Sequence, residues 1–342
     1  MMKSFGSDNH GGVHPKVFEY LQVANNYGHL PSYGEDSYTK SVDKKIAEYF
    51  GGIAGVYYCF NGTGANVLSL RSILKPYEAA IVTDCSHLIA DECGAPEAAG
   101  IKLLAVPAVN GKIVVKELEK FQFVENDQHW VQPKLVSITQ STECGTVYTR
   151  DEILEISAFC KKMGWYLHMD GARISNAAVT LAVNLKEISK DLGVDILSLG
   201  GTKNGLMAAE AVVIFNDSLN EGFKFYRKQR LQLSSKMRYL AAQFDAFFHD
   251  DLWLVNAKNA NETAIYLAEQ CASILGERAI VGGVEANEVF VRFPNMKSVY
   301  SLQESWDFHV WDEQTNLVRF VCSFDTLSED VDALTDDLKS LV

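Results

Sequence analysis

Between about residue 50 and residue 216, short runs of apolar residues alternate with longer stretches in which apolar positions recur every three or four residues. The short runs have strand length and the longer ones helical period, which predicts a layered α/β domain. Seven strands are expected, over residues 55–60, 79–84, 101–107, 134–140, 165–170, 195–200 and 210–215. Helices are expected between them over 65–74, 150–163 and 185–192. In the second of these, Ile153, Ile156 and Phe159 make one apolar stripe. Asp151 and Glu152 suit the positive helix start, Lys161 and Lys162 suit the negative end, and Gly164 stops the helix.

Beyond Phe215 the pattern changes to long helical stretches over 226–249 and 252–275, then strand-like runs over 286–293 and 317–324. A last helix is expected over 327–341, with Thr326 as N-cap and Glu329 as its reciprocal partner. These changes divide the chain into an arm over 1–40, rich in Gly, His and Asn and packing elsewhere, a large domain over 41–250, and a smaller C-terminal α+β domain over 251–342. The large domain is expected to carry a seven-stranded, mostly parallel sheet.

A chain of 342 residues can bury a large core, and 47% apolar with 22% charged residues is the composition of a folded protein. A net charge of −13 disfavours nucleic acid and anionic membranes as partners and leaves a small molecule. The seven cysteines are odd in number, scattered and free of CxxC pairs, so reduced, buried thiols are expected, with no disulfide and no metal site. No signal-peptide core stands at the N-terminus and no run of about 18 apolar residues occurs, so a cytoplasmic protein is expected.

In such a sheet, ligands sit beyond the carboxyl ends of the strands, and four strand ends carry chemistry-bearing residues. Asn61-Gly62-Thr63-Gly64 follows a strand and opens a helix: either a plain turn or a cradle whose free N–H groups hold a phosphate. His87 follows the next strand. Asp170 ends a strand at Leu167-His168-Met169-Asp170, either as a helix cap or as an acid that keeps a ring nitrogen protonated. Lys203 follows a further strand in Gly200-Gly201-Thr202-Lys203, where small neighbours clear space and desolvation makes a lysine nucleophilic.

With these residues in place, the sequence resembles the fold type I pyridoxal-phosphate (PLP) enzymes, and among them the low-specificity L-threonine aldolase family. The matching motifs are Ser7-Asp8, Tyr33-Gly34-Glu35-Asp36, Gly62-Thr63, His87 with Glu92 and Gly94, His168-Met169-Asp170-Gly171-Ala172-Arg173, the Lys203 segment, and Leu317-Val318-Arg319-Phe320-Val321. The resemblance implies PLP as cofactor, with Lys203 forming the Schiff base, Asp170 pairing with the ring nitrogen and His87 stacking on the ring. It implies that Gly62, Thr63 and Gly64 hold the phosphate and that Arg173 belongs to the cofactor site. Ser7, Tyr33, Arg173 and Arg319 would form the substrate site, with the arginines gripping a carboxylate. A homodimer or homotetramer is implied, with sites at the dimer interface and the Tyr33 loop reaching a neighbouring subunit.

The implied reaction is retro-aldol cleavage of L-threonine, L-allo-threonine or a related β-hydroxy-α-amino acid to glycine and an aldehyde. The sequence departs from the family where many members carry a histidine that contacts the substrate hydroxyl. Here Gln140-Ser141-Thr142-Glu143-Cys144-Gly145 places Glu143 at that position, as the catalytic base. A carboxylate of ordinary pKa, about 4.3, is a weak base unless burial raises it. The other readings open at this stage are a phenylserine-type aldolase, a β-eliminating lyase or aminotransferase, and a non-catalytic PLP-binding module.

Overall fold

A computed structural model describes residues 4–124 and 126–341; the first three residues of the expected arm and the last residue of the expected C-terminal domain lie outside it. All seven expected strands form: β1 (Gly55–Cys59), β2 (Glu78–Thr83), β3 (Lys102–Val106), β4 (Gln132–Thr139), β5 (Tyr166–Gly171), β6 (Ile196–Leu199) and β7 (Glu210–Ile214). They join in one sheet in the order β1-β7-β6-β5-β4-β2-β3. The pairs β6–β5, β5–β4, β4–β2 and β2–β3 are parallel, and β7 runs antiparallel to both β6 and β1. β2, β6 and β7 are buried along their whole length, which is why they read as continuous apolar runs: helices cover both faces of the sheet.

The helix Arg150–Met163 has the expected bounds. Thr149 Oγ1 accepts from the Glu152 N–H at 3.3 Å, Glu152 Oε2 accepts from the Thr149 N–H at 2.7 Å, and Gly164 ends the helix at φ 65°. Three expected helices differ. Residues 185–192 bury Leu185, Ile188 and Leu192 through turns and one 3-10 segment, Lys190–Leu192, because Ser189 leaves helical geometry at ψ −86°. The span 226–249 is two helices, Phe223–Gln229 and Arg238–Phe248, separated where Leu231 takes φ 63°. The last helix is Ser328–Lys339, one step later than expected. Its cap is Leu327, whose N–H donates to Asp330 Oδ2, while Thr326 Oγ1 accepts from the Ser323 N–H instead.

The second sheet is antiparallel, in the order β10-β11-β9-β8, from β8 (Ile280–Val281), β9 (Glu288–Arg292), β10 (His309–Asp312) and β11 (Leu317–Val321). It has its own core of Val289, Val291, Phe293, Val318 and Phe320 with the helices Leu252–Leu275 and Ser328–Lys339. Helix Leu252–Leu275 belongs to both cores. Trp253 packs with the large sheet's layer, and Ala264, Leu267 and Cys271 with the small one. The N-terminal arm packs on its own chain, not away from it. Phe5 is buried in the second core, its carbonyl accepting from the Val321 N–H at 2.7 Å, and helix Pro15–Asn26 lies on helix Arg238–Phe248. Of the cysteines, Cys59, Cys160, Cys271 and Cys322 are buried, but Cys85 and Cys144 are only half-buried and Cys93 is exposed. No helix among the described residues is long and apolar enough to cross a membrane.

Candidate active site

The strand directions bring five chain segments to one edge. β1, β2, β5 and β6 end there, and β7, running the other way, begins there. A cavity of about 260 Å³ opens at that edge between Gly62, Thr63, His87, Asp170, Lys203 and Glu210. Five of the residues expected from sequence therefore share one space. Gly64, Glu143, Ser7, Arg173, Arg319 and Tyr33 do not line it.

Asp170 closes one wall. It is buried, with Oδ1 accepting from the Ala172 N–H at 3.0 Å and Oδ2 from the side-chain amide of Asn66 at 2.8 Å. The same Asn66 nitrogen donates to Glu92 Oε1 at 2.9 Å, and that oxygen lies 3.1 Å from His87 Nδ1. A continuous hydrogen-bonded chain therefore links His87, Glu92, Asn66 and Asp170. The Glu92 contact raises the His87 pKa, against the opposing effect of burial. Glu92 engages Nδ1 of His87, so Nε2 is the ring nitrogen that faces away. Behind Asp170, the buried His168 is held between Ser137 Oγ at 2.8 Å and Ser198 Oγ at 3.0 Å. Burial pushes its pKa down to about 4, so the ring is neutral.

The start of helix Gly62–Ile73 forms the opposite wall. Asn61 caps it by accepting from the Gly64 N–H at 2.7 Å, which leaves the amides of Gly62 and Thr63 at the open, positive end. Gly64 faces the side chain of Gln232, where a Cβ would lie 2.4 Å from Gln232 Cδ. Gln232 reaches this place because the helix break at Leu231 turns it inward, and its Oε1 accepts from the Phe60 N–H at 2.9 Å. Lys203 stands on the short turn Thr202–Asn204, half-buried, and among the described residues its amine has no hydrogen bond or ion pair.

A second cluster lies beside the cavity, where the N-terminal arm meets β5, β9 and β11. Arg173 is buried, its Nε and Nη2 donating to Asp8 at 2.7 and 3.1 Å, with Nη1 3.6 Å from Glu288 Oε1. Burial disfavours both charges, but each ion outweighs it for the other: Asp8 is held below the ordinary aspartate range and Arg173 above the ordinary arginine one. Arg319 Nη1 lies 3.4 Å from the same Glu288 oxygen, and its guanidinium stands 5.2 Å over the Trp311 ring. Arg319 and Glu288 are diagonal neighbours on one face of the β9–β11 ladder, since Arg319 pairs with Phe290 and Glu288 with Val321.

Glu143 is half-buried on the loop that crosses this cluster. A Cβ at Gly145 in that loop would lie 3.4 Å from Glu288 Cβ. Desolvation raises the Glu143 pKa; Arg173 and Lys203 pull it down, while Glu288 and Asp170 push it up. Ser7 caps the 3-10 turn Asp8–His10, its Oγ accepting from the Asn9 N–H at 3.2 Å, and so holds Asp8 against Arg173. Tyr33 lies elsewhere, on an exposed loop at φ 62°, with Lys228 Nζ 5.5 Å from its ring centre.

Sequence reasoning did not single out Asn66, Gln232, Glu210 or Glu288. Asn66 sits in the helix after the cradle, where its spacing of four from Gly62 puts it one turn further along the same face, and that spacing was the available signal. Glu210 and Glu288 are charged residues at the heads of apolar strand runs. A charge at such a place is buried unless the strand frays, and a buried charge needs a partner. Gln232 carries no local signal, because its position depends on a helix break.

The family model for beta-eliminating lyases matches residues 4–295. The low-specificity L-threonine aldolase of Pseudomonas aeruginosa is 39% identical over 98% of this chain and 97% of its own length. The chain belongs to the low-specificity L-threonine aldolase family. A second member of this family, from a Pseudomonas species, is 37% identical over 99% of the chain and 98% of its own length. A threonine aldolase of Leishmania major superposes with a TM-score of 0.91 at 30% identity, covering 99% of both chains. BacF of Bacillus subtilis, at 16% identity and a TM-score of 0.74, shares the fold alone. Membership of the threonine aldolase family places the chain among the PLP-dependent enzymes of fold type I.

Proposed function

We propose that the chain is a PLP-dependent aldehyde-lyase that cleaves L-threonine, L-allo-threonine or a related β-hydroxy-α-amino acid to glycine and an aldehyde. The observation that carries this reading is the single cavity shared by Lys203, Asp170, His87 and the open helix start at Gly62–Thr63, with Arg319 and Glu143 beside it. The residues present fit the cofactor. A helix start with unspent amides suits a phosphate, a buried carboxylate on a neutral amide donor suits a protonated ring nitrogen, and an amine without an ion pair suits an aldehyde carbon. When bound, PLP supplies an electron sink for the pair released at Cα.

The protein's own groups do the rest. Lys203 would hold the cofactor aldehyde, Asp170 would keep the ring nitrogen protonated, and His87, locked by Glu92, would stack on the ring. Gly62 and Thr63, with Gly64 braced by Gln232, would hold the phosphate. Arg319 would take the substrate carboxylate, with Ser7 and Arg173 shaping that end of the site. Arg173 has two of its donors committed to Asp8, so Arg319 has the more available fork. Glu143 would accept the β-hydroxyl proton. The exposed Tyr33 loop suits a contact with a second subunit in a homodimer or homotetramer.

The test is purified protein with added PLP, assayed for glycine from L-threonine, L-allo-threonine and L-phenylserine. Glycine release supports the reading. Pyruvate and ammonia from serine without glycine would point to β-elimination, and a protein that stays colourless with PLP would remove the cofactor from the proposal.

A further inference from the structure

Glu210 opens β7, and because β7 runs antiparallel to β6 its side chain arrives at the edge where Lys203 stands. It is buried. Its Oε2 accepts from the Gly201 N–H at 2.7 Å and its Oε1 from the Thr202 N–H at 3.4 Å, so one carboxylate binds both backbone amides that precede Lys203. The turn has little freedom elsewhere. A Cβ at Gly200 would lie 2.5 Å from the Ala172 carbonyl oxygen, and one at Gly201 would lie 2.5 Å from the Ala209 carbonyl oxygen. Thr202 Oγ1 also accepts from the Ala209 N–H at 3.3 Å. The charged or titratable groups that face Glu210 are Lys203 on the turn and the Cys59 thiol, its register partner on β1.

No role in the proposed reaction needs a carboxylate here. A neutral acceptor would satisfy the amides without the cost of burying a charge. We propose that Glu210 is a positioning residue for Lys203, anchoring the two amides before it and adding a carboxylate charge to the cavity that the amine shares. Burial pushes the Glu210 carboxyl up to about 7, while the hydrogen bonds from Thr202 and Gly201 and the charge of Lys203 pull it down. A carboxylate beside the turn orients the amine electrostatically, so it sets how readily that amine is available as a nucleophile. This inference rests on the proposal that Lys203 is the cofactor's lysine, but its test does not.

The experiment is competitive acetylation of the cofactor-free full-length protein at pH 7, with peptide mass mapping. Lys203 labelling is scored against the exposed Lys297 in the same sample. Glu210→Gln keeps an acceptor for the turn and removes the charge, so Lys203 should label about tenfold faster or more. Glu210→Asp withdraws the charge by one methylene and should give a smaller increase. An unchanged ratio in whichever variants fold overturns the proposal. In parallel, PLP titration of the parent protein followed by visible absorbance reports on the cofactor reading alone. Failure there leaves the labelling result standing, and failure of the labelling leaves the cofactor reading standing.

Discussion

The side-chain amide of Asn66 donates to Asp170 Oδ2 at 2.8 Å and, from the same nitrogen, to Glu92 Oε1 at 2.9 Å. Asn66 is thus the joint between the acid proposed for the ring nitrogen and the histidine proposed to stack on the ring. Asn66→Ala should leave Asp170 with the Ala172 N–H alone and free the Glu92–His87 pair. A hydrogen bond to a charged group contributes about 1.5–3 kcal/mol, so PLP affinity should fall about tenfold or more. Absorbance titration with PLP checks this, and an unaltered affinity would show that the bridge only fills space.

The two arginines expected to grip substrate differ in kind. Arg173 is buried between Asp8 and Glu288, so Arg173→Ala strands the buried Asp8 carboxylate and should cost about 3–5 kcal/mol of stability. Arg319 is half-buried, with no hydrogen bond at Nε. Arg319→Ala leaves Glu288 with Arg173 and should therefore lower the urea midpoint less than Arg173→Ala does, while raising KM for the amino acid about tenfold to a hundredfold. The reverse pattern, with Arg319→Ala unfolding the protein and Arg173→Ala raising KM alone, would exchange the two assignments.

Glu143 must be ionised to accept a proton. Since desolvation raises its pKa, the acidic limb of kcat/KM should lie above the ordinary carboxylate value of about 4.3. Activity should be lost as pH falls through that limb. Glu143→Gln should lower kcat/KM by about a hundredfold to ten-thousandfold and remove the limb. Glu143→His should restore part of the rate with a limb nearer 6.5. A pH profile that Glu143→Gln leaves unchanged would assign the base elsewhere.

The fold was legible because the strands at its centre, β2, β6 and β7, are buried on both faces. Runs such as 79–84 and 210–215 could hardly be anything else, and the caps at Thr149 and Gly164 are local chemistry. The strand-end residues were legible for the same reason, since topology alone carries Asp170 and Lys203 to one edge. What was not legible depends on contacts between distant segments. The break in helix 226–249 accompanies the contact of Gln232 with Phe60 and Gly64, far away in sequence. Asp8 occupies Arg173 because Phe5 anchors the arm in the second core, and nothing within residues 1–40 announces that. Glu288 meets Arg319 only through the register of β9 on β11.

His168 gives a stability prediction that is separate from catalysis. It is fully buried behind Asp170, shares its nitrogens with Ser137 and Ser198, and has a pKa pushed by burial down to about 4. In the unfolded chain a histidine takes up its proton near 6.5. Between those values the unfolded state therefore binds more protons than the folded one, and stability rises with pH. The contribution is present above pH 6.5 and is lost as pH falls toward 4, by on the order of 3 kcal/mol across the window. His168→Asn keeps polar atoms for the two hydroxyls and cannot titrate. Urea midpoints of parent and variant, measured from pH 7 to pH 4, should converge as the pH falls, with the parent losing stability faster. Parallel curves would mean that folding does not shift the His168 pKa, and a parent that gains on the variant as the pH falls would mean that the folded protein holds His168 protonated.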